Sequence, residues 1–327
     1  MKIVFLDAYA ANPGDIDWSP WQHLVNQDRE PIELEIYDRT APEETLTRAD
    51  GAQIILTNKV IINAELMDSL PQLRYIGVLA TGYNVVDTEH ASMLGITVTN
   101  IPAYSTASVA QMAIAHLLHI ALHVGPHSEA VREGRWQTSR DFCFWDYPLI
   151  ELNGMQMGIV GLGNTGMATA RIAQSMGMQV SAWSSKDKDT LEALGIEKAA
   201  SLDDLFRTAD VLSLHCPLTP ETRHLVCKSR LRLMKPTAIL INTGRGPLIN
   251  EQDLADALNE GRLYAAGLDV LDQEPPRNGS PLITARNCHI TPHIAWATQQ
   301  ARRRLMTIAL ENVEAYLNGK PQNVVNR

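Results

Sequence analysis

The glycine-rich stretch GIVGLGNTGMATARIAQSMG carries the sharpest chemical signal in the sequence. Gly161, Gly163 and Gly166 form a G-x-G-x-x-G pattern that follows a predicted strand and opens a predicted helix. In that context the first glycine permits a tight turn, the second lets a pyrophosphate approach the backbone, and the third lets the helix pack on the strand. The phosphates would lie at the helix N-terminus. The stretch therefore predicts a dinucleotide site in preference to a plain glycine turn.

The residues after the next strand bear on the choice between NAD and NADP. An acidic residue about 20 positions beyond the glycines usually holds the ribose 2′-hydroxyl. Here the strand QVSAW ends in Ser184, Ser185 and Lys186. Two hydroxyls and an ammonium could accept a 2′-phosphate. Alternatively, SSKDKD is a solvated loop in which Asp187 or Asp189 folds back. The sequence predicts NAD or NADP as cofactor and leans slightly to NADP.

Three further motifs place reactive side chains directly after predicted strands. Arg245, between two glycines in NTGRGPLIN, could present its guanidinium to a carboxylate, although a solvated surface arginine is the alternative. Glu274 in GLDVLDQEPP precedes His293 in TPHIAW. Taken alone, His293 in its apolar company would be a core or capping residue. A carboxylate beside an imidazole fixes its tautomer and favours its protonated form, as a general acid requires.

A row of histidines is the other cluster that could do chemistry. His116, His119, His123 and His127 follow spacings of three, four and four in one predicted helix after Pro102. A metal site is one interpretation, but no carboxylate ligand is interleaved with them. We expect an interface or interdomain face and no metal. The nearby aromatic segment FCFWDYP is more typical of a packed arm than of a substrate site.

Composition excludes several classes of protein. The chain has 327 residues, a net charge of −9, 45% hydrophobic and 20% charged residues, which suits two folded domains and argues against nucleic-acid partners. The N-terminal apolar run is too short for a signal peptide, and no run reaches membrane-spanning length. The four cysteines are scattered without C-x-x-C spacing, so a reducing cytoplasm is expected.

The pattern of elements predicts an α/β fold. Short apolar runs alternate with helical segments, which is typical of βαβ units and a parallel sheet covered by helices. The strand candidates are KIVFLD, LEIYD, QIILTN, RYIGVLA and TVTNI, then MQMGIVG, QVSAW, VLSLH, AILINTG, YAAGLDV and CHITP. Two α/β units joined near residue 101 follow from this pattern. The terminal helix, about 297–317, could belong to either.

Seven motifs in order resemble the D-isomer-specific 2-hydroxyacid dehydrogenase family over essentially the whole chain. They are LATGYNVVD, IPAYSTASVAQ, GLGNTG, HCPLTPET, INTGRGPLIN, GLDVLDQEPP and TPHIAW. Within the family the chain looks most like the glycerate dehydrogenases, also called hydroxypyruvate reductases. The narrower likeness rests on TNKVIINAELMDSLPQL, DFCFWDYPLIEL and HIAWATQQARRRLM.

The resemblance implies two Rossmann-like domains. Residues 1–100 plus 291–327 would form a flavodoxin-like substrate domain, and residues 101–290 an inserted NAD(P)-binding Rossmann domain, with the site in the cleft between them. The implied partners are a small 2-keto or 2-hydroxy acid and a second copy of the chain, since dimers through the long helix and arm are usual in the family.

The resemblance also assigns residues, matched motif by motif. Arg245, Glu274 and His293 would be catalytic, and Ala80, Thr81 and Gly82 would bind the substrate carboxylate through backbone N–H groups. Trp296 is a candidate for shaping the substrate pocket. Besides the glycines and residues 184–186, the implied cofactor contacts are Asn164, Thr165, His215, Pro217, Thr222, Thr243, Asp269 and His293.

Three positions depart from the family pattern. Gln111 stands where glutamate is usual, Asn164-Thr165 replace a frequent Arg-Ile pair, and Ser184 replaces the ribose-binding acid. None of these departures touches Arg245, Glu274 or His293. Only the change at Ser184 bears on the choice of coenzyme.

The expected reaction is reversible reduction of hydroxypyruvate or glyoxylate to D-glycerate or glycolate. Other members of the family remain alternatives. A D-lactate dehydrogenase is one, and a phosphoglycerate dehydrogenase would commonly add a C-terminal regulatory domain. A formate dehydrogenase would carry glutamine opposite the histidine. A non-catalytic, nicotinamide-sensing binding protein on the same fold would need no turnover, and fold likeness alone would not settle this.

Overall fold

The computed structural model describes residues 1–25 and 32–326 and divides into two compact units. The first unit comprises Met1–Ser105 with Ala297–Arg327, and the second comprises Thr106–Trp296. Residues 101–105 and 291–296 therefore lie outside the units predicted for them. The loop after residue 100 is tied to the first unit, because Ile101 donates its N–H to the carbonyl of Ala80 and Tyr104 accepts from Arg304.

The first unit contains a five-stranded parallel sheet in the order β2-β1-β3-β4-β5. Its strands are β1 (Lys2–Phe5), β2 (Glu33–Ile36), β3 (Ile54–Thr57), β4 (Tyr75–Val78) and β5 (Thr97–Thr99). The order is that of flavodoxin-like folds. β3 and β4 are buried along their whole length, as expected for strands covered on both faces.

Five helices accompany this sheet: α1 (Ser19–Gln22), α2 (Thr45–Ala49), α3 (Ala64–Asp68), α4 (Thr88–Met93) and α12 (Gln299–Leu317). The terminal helix α12, which the element pattern left open and the family resemblance placed with residues 1–100, belongs to the first unit. Arg302 on α12 forms two hydrogen bonds to the Asp15 carboxylate, of 2.5 and 2.7 Å, and Asn312 donates to the carbonyl of Asn100.

The second unit contains a seven-stranded parallel sheet in the order β12-β11-β10-β9-β6-β7-β8. Its strands are β6 (Gln156–Val160), β7 (Gln179–Trp183), β8 (Ile196–Lys198), β9 (Val211–Leu214), β10 (Ile239–Asn242), β11 (Ala265–Leu268) and β12 (Cys288–Ile290). From β8 to β11 the order is that of a dinucleotide-binding Rossmann fold, extended by β12. The predicted fold class is confirmed, and among the strands of residues 1–25 and 32–326 only β8 was not predicted.

Helices cover both faces of this second sheet. They are α5 (Thr106–Leu122), α6 (Val124–Arg132), α7 (Asn164–Ser175), α8 (Lys188–Glu192), α9 (Leu202–Thr208), α10 (Lys228–Leu231) and α11 (Glu251–Asn259). Alternate residues of β10 serve opposite cores, since Ile239 and Ile241 pack with α5 and α7 while Leu240 packs with α9 and α11.

The helix predicted after Pro102 is in fact two helices. α5 ends at Leu122, His123 adopts a left-handed conformation with φ of +48°, and α6 begins at Val124. Pro126 explains the break, because in a continuous helix its ring would clash with the carbonyl of Leu122. The four histidines consequently do not share one helix face. Among residues 1–25 and 32–326, no single helix is long and apolar enough to cross a membrane; α5 and α6 reach that length and composition only as a pair bent by 57°.

Candidate functional site

The glycine loop after β6 has the geometry of a dinucleotide-binding turn. Gly161 has φ of +89°, and a Cβ there would lie 2.6 Å from the backbone nitrogen of Cys216. A Cβ on Gly166 would lie 2.2 Å from the carbonyl oxygen of Gly161, so only glycine lets α7 pack this closely. At Gly163 a Cβ would meet nothing within 4 Å. The space beside Gly163 and the N-terminus of α7 therefore fit a pyrophosphate.

Other residues expected to contact the cofactor follow the neighbouring strands. Asn164 and Thr165 open α7. The Thr243 hydroxyl, after β10, is buried without a hydrogen-bond partner among the described residues, as expected of a group awaiting a ligand. His215 follows β9, and its Nε2 lies 2.9 Å from the Ser213 hydroxyl. Burial lowers the pKa of His215 to about 4, so its imidazole is neutral.

The loop after His215 is closed by its own hydrogen bonds. The Thr222 hydroxyl donates to the carbonyl of Pro217 at 2.8 Å and accepts from the N–H of Thr219 at 2.7 Å. These bonds fix the two predicted contact residues, Pro217 and Thr222, relative to each other.

At the end of β7, two lysines and a serine converge. Ser184 accepts a hydrogen bond from the N–H of Lys186, and the Lys198 ammonium donates to the carbonyl of Lys186 at 2.8 Å. Ser185 and Lys186 are exposed. Asp187 turns toward α8 and caps it, since its carboxylate accepts from both the N–H and the hydroxyl of Thr190 at 2.7 Å. Sequence reasoning missed Lys198 because β8 itself was missed.

The loop after β10 presents Arg245 to solvent. Asn242 shapes the loop by accepting from Gly244 N–H at 3.0 Å and donating to the carbonyl of Arg245 at 2.9 Å. Within residues 1–25 and 32–326, Arg245 has no carboxylate at ion-pair distance. A Cβ on Gly246 would lie 1.9 Å from the backbone of Leu271, so this glycine lets the arginine loop pack against the loop that carries Glu274.

The imidazole of His293 is hydrogen bonded to Glu274. The two side chains meet through His293 Nδ1 and Glu274 Oε2 at 2.5 Å, and Glu274 Oε1 accepts from the N–H of Leu271 at 2.9 Å. Both side chains are about one-third exposed or less. With Nδ1 engaged by the carboxylate, Nε2 of His293 is the nitrogen that can exchange a proton with a ligand.

Asp269 holds the backbone around His293. Its carboxylate accepts from the N–H groups of Ile294 at 2.9 Å and Ala295 at 2.7 Å, and from the Thr291 hydroxyl at 2.6 Å. Its carbonyl accepts from the N–H of His293 at 2.8 Å. His293 has φ of +52°, a conformation that non-glycine residues adopt only when their surroundings enforce it. Asp269 is 1% exposed.

The expected substrate loop belongs to the first unit and follows β4. Thr81 donates its hydroxyl to the carbonyl of Ile101 at 2.8 Å, and Asn100 donates to the carbonyl of Thr81 at 2.8 Å. In the described part of the chain, the N–H groups of Ala80, Thr81 and Gly82 donate to no backbone acceptor. They are therefore available to an anion. Trp296, the other residue proposed for the substrate, lies half-buried at the end of the second unit.

The histidine row makes contacts with protein groups. His116 Nε2 lies 3.0 Å from the Thr291 hydroxyl, and His119 Nε2 lies 3.2 Å from His289 Nδ1. His123 stacks on Tyr147, with ring centroids 4.5 Å apart. Residues 1–25 and 32–326 hold no group of three or more histidine, cysteine or acidic side chains placed to bind a metal.

The aromatic arm, residues 136–149, is mostly exposed instead of packed. Phe142 is 88% and Trp145 is 65% exposed. The arm nevertheless has internal order, because Trp136 donates to the carbonyl of Phe142 at 2.9 Å and Arg135 binds Asp146. A depression of about 450 Å³ lies between the arm and α6.

The fold thus gathers Arg245, Glu274 and His293 at the carboxyl ends of the neighbouring strands β10, β11 and β12. Sequence reasoning missed Asn242, Thr291 and His116, which shape the loops around them. Thr291 was visible within TPHIAW, but nothing in the motif says what its hydroxyl contacts. His116 carried no signal beyond its membership of the histidine row.

Comparisons with known proteins agree with this geometry. Residues 114–295 match the family model described as D-isomer specific 2-hydroxyacid dehydrogenase, NAD binding domain. A hydroxypyruvate reductase of Blautia hydrogenotrophica is 50% identical over 330 residues, covering 100% of both chains. A glycerate dehydrogenase of Methylorubrum extorquens is 38% identical, covering 99% of this chain and 98% of the relative. The crystal structure of the TT0316 protein from Thermus thermophilus has a TM-score of 0.83 and 34% identity, covering 99% of this chain and 100% of that one.

Proposed function

The chain belongs to the D-isomer-specific 2-hydroxyacid dehydrogenase family, and on that premise we propose that it reduces hydroxypyruvate or glyoxylate with NAD(P)H. The products would be D-glycerate or glycolate, and the reaction is reversible. The observation that carries the proposal is the hydrogen-bonded pair of His293 and Glu274 on strand ends neighbouring the Arg245 loop. The names of the two relatives favour hydroxypyruvate as substrate.

Arg245 and the loop 80–82 bind the substrate carboxylate in this proposal. A guanidinium offers two parallel N–H donors, which match the two oxygens of a carboxylate. The N–H groups of Ala80, Thr81 and Gly82 supply further donors. Trp296 limits the size of the group attached to C2. Binding of the carboxylate would fix the keto carbon in one orientation, and orientation contributes strongly to rate.

His293 supplies the proton. A nicotinamide coenzyme held by the glycine loop after β6 would supply the hydride that reduces C2. Negative charge then develops on the substrate oxygen, and Nε2–H of His293 donates its proton there. Glu274 holds the imidazole ring through Nδ1. In the reverse direction the neutral imidazole accepts the proton of the substrate hydroxyl.

The chain binds NAD(P), and we propose a preference for NADP. Ser184, Ser185 and Lys186 stand at the position where the ribose acid is usual. The Asp187 carboxylate accepts from Thr190 and caps α8, which supports leaving the 2′-position to the hydroxyls and the ammonium. Lys198 brings a second positive charge to the same loop. A 2′-phosphate would find hydroxyl and ammonium donors here.

The exposed arm supports a homodimer. Monomeric proteins seldom leave several large aromatic side chains exposed together, and such patches mark interaction sites. Trp136, Phe142 and Trp145 are each more than half exposed, and Val124 on α6 beside them is 66% exposed. A second copy of the chain would cover this patch. A cytoplasmic location follows only from the composition and the scattered cysteines, and remains a prediction.

The decisive experiment follows oxidation of NADH and NADPH in parallel, with hydroxypyruvate, glyoxylate and pyruvate as substrates. The proposal expects the highest kcat/KM with hydroxypyruvate or glyoxylate. Highest activity with pyruvate would favour a D-lactate dehydrogenase. Binding of the coenzyme without turnover of any substrate would favour a nicotinamide-sensing binding protein.

A further inference from the structure

Two histidines of α5 contact β12 and the residue that directly follows it, on the way to the proton donor. His116 and His119 are one helical turn apart, and Thr291 and His289 are two residues apart along the strand direction, so each pair lies on one face. β12 is a strand of three residues at one edge of the sheet, where it pairs with β11. Contacts from α5 therefore supplement a short ladder at the place where the chain turns toward His293.

The His116 contact continues to Asp269. Because a carboxylate can only accept, the Thr291 hydroxyl donates its proton to Asp269 Oδ1, at 2.6 Å. The oxygen of Thr291 is then left to accept from His116 Nε2–H, at 3.0 Å. The same carboxylate accepts from Ile294 and Ala295, directly after His293. An unbroken series of hydrogen bonds thus runs from α5 to the backbone amides that directly follow the proton donor.

We propose that His116 and Thr291 are positioning residues for catalysis, which hold Asp269 so that the backbone at 293–295 keeps His293 in its left-handed conformation. The inference rests on the proposed function only for its effect on turnover. Its structural part, the restraint of residues 293–295, stands independently of the substrate.

The surroundings of His116 suit this role. A Cβ on Gly267 would lie 2.7 Å from Cβ of His116, so the glycine in β11 makes room for the histidine against the sheet. His116 is 5% exposed, and burial lowers its pKa, with His119 adding to the effect and Asp269 opposing it. The ring is consequently neutral near pH 7, with one N–H to donate. That N–H is directed at Thr291.

The two contacts from α5 differ in the groups to which their partners are hydrogen bonded in turn. Thr291 leads to Asp269, whereas His289 faces other histidines, with His119 at hydrogen-bond distance and His116 and His123 farther off. The His119 contact therefore tethers the strand without reaching Asp269. This makes His119→Leu a matched control, because it removes an imidazole contact from the same helix to the same segment.

The test compares Thr291→Val and His116→Leu with the rescue variants Thr291→Ser and His116→Gln, which restore the hydroxyl and a donor near the position of Nε2. We expect Thr291→Val and His116→Leu to lower kcat about 10- to 100-fold, as a small displacement of a catalytic group does. The KM for the coenzyme should change little. Thr291→Ser, His116→Gln and His119→Leu should retain most of the turnover.

Hydrogen exchange of the amides of residues 293–295 provides a readout that does not depend on turnover. These amides should exchange about tenfold faster in Thr291→Val and His116→Leu than in the native protein, because their acceptor is less restrained. The double variant should be no worse than the poorer single variant, since both changes break the same series of contacts.

Native exchange rates and native kcat in both variants would overturn the inference, as would equal losses in Thr291→Val and Thr291→Ser. If Thr291→Val does not fold, the His116 pair decides. If the native chain turns over none of the substrates, the proposed function fails, while the exchange rates still decide whether His116 and Thr291 restrain the loop.

Discussion

His293 Nδ1 lies 2.5 Å from Glu274 Oε2, while the other oxygen of the Glu274 carboxylate accepts from the N–H of Leu271. The glutamate is thus held by its own loop and in turn fixes the tautomer and orientation of the imidazole. This leaves Nε2 of His293 as the nitrogen that would exchange a proton with the substrate in the proposed function. A restrained ring whose second nitrogen is left for proton transfer is an arrangement that suits a general acid.

Replacing His293 by Gln should lower kcat by about 10²- to 10⁴-fold, the usual contribution of a general acid or base. The affinity for NADH and NADPH, measured by fluorescence titration, should stay nearly unchanged. Glu274→Gln is the companion variant, because its amide oxygen can still accept from Leu271 while the charge is lost. Near-native turnover of His293→Gln would remove His293 from the mechanism.

Replacing Arg245 by Lys should raise the KM for the 2-keto acid strongly, because an ammonium keeps the charge but loses the paired donors. Loss of a charge-assisted hydrogen bond of about 1.5–3 kcal/mol corresponds to roughly 10- to 150-fold. Steady-state kinetics at saturating coenzyme measures this. Arg223→Lys is the control, since Arg223 lies 3.8 Å from Asp272 in an ion pair of its own. Equal effects of the two variants would refute the role of Arg245.

If the Lys186 ammonium binds a 2′-phosphate, replacing Lys186 by Ala should lower the affinity for NADPH about tenfold and leave the affinity for NADH almost unchanged. Dissociation constants for both coenzymes test this. Lys188→Ala is the control from the start of α8, two residues further on, because Lys188 is paired with Glu192 at 3.3 Å. A Lys186 variant that loses the same affinity for both coenzymes would contradict the preference for NADP.

Stability should fall as the pH is lowered from about 6.5 toward 4. Burial lowers the pKa of His215 and of His289 to about 4, and it lowers that of His116 as well. Between these pKa values and 6.5 the unfolded chain binds protons that the folded protein does not. The contribution of these histidines to the free energy of unfolding is therefore complete above pH 6.5 and decreases progressively as the pH falls toward 4. For His215, a shift of this size corresponds to roughly 3 kcal/mol.

Urea unfolding at pH 8, 6.5, 5.5 and 4.5 measures this dependence. His289→Asn, whose amide can still contact His119, should flatten part of the slope, because one of the groups that protonates on unfolding is removed. An unfolding free energy that stays constant from pH 6.5 to 4.5 would be inconsistent with buried neutral histidines.

Sedimentation should show a dimer for the native chain and a monomer for Trp145→Asp. A carboxylate placed in the exposed arm would have to be buried without a partner in the proposed interface. Met93→Asp is the control, because Met93 on α4 is 75% exposed but belongs to the first unit and not to the arm. If the native chain and Trp145→Asp both sediment as dimers, the dimer forms through another surface. If both sediment as monomers, there is no dimer.

Much of the fold could be predicted because its determinants are local. The eleven strands expected from apolar runs are all present. Gly161, Gly163 and Gly166 lie in the turn from β6 to α7, as the spacing of the motif predicts. β8 escaped prediction because IEK is only three residues long and two of the three are exposed. The break at His123 was missed because the helical spacing of histidines continues across it, although Pro126 marked the place.

The sequence by itself determined the order of the elements, the glycine turn and the identity of Arg245, Glu274 and His293 as the residues to examine. Only the tertiary structure decided which groups restrain them. His116 and Thr291 are 175 residues apart, and Lys198 reaches Lys186 from a neighbouring strand. Such contacts follow from strand order and helix packing, which bring together residues that no motif connects. The spacing of the histidines suggests a single helix face. In the structure, two of them, His116 and His119, connect α5 to β12 and to the chain that follows it.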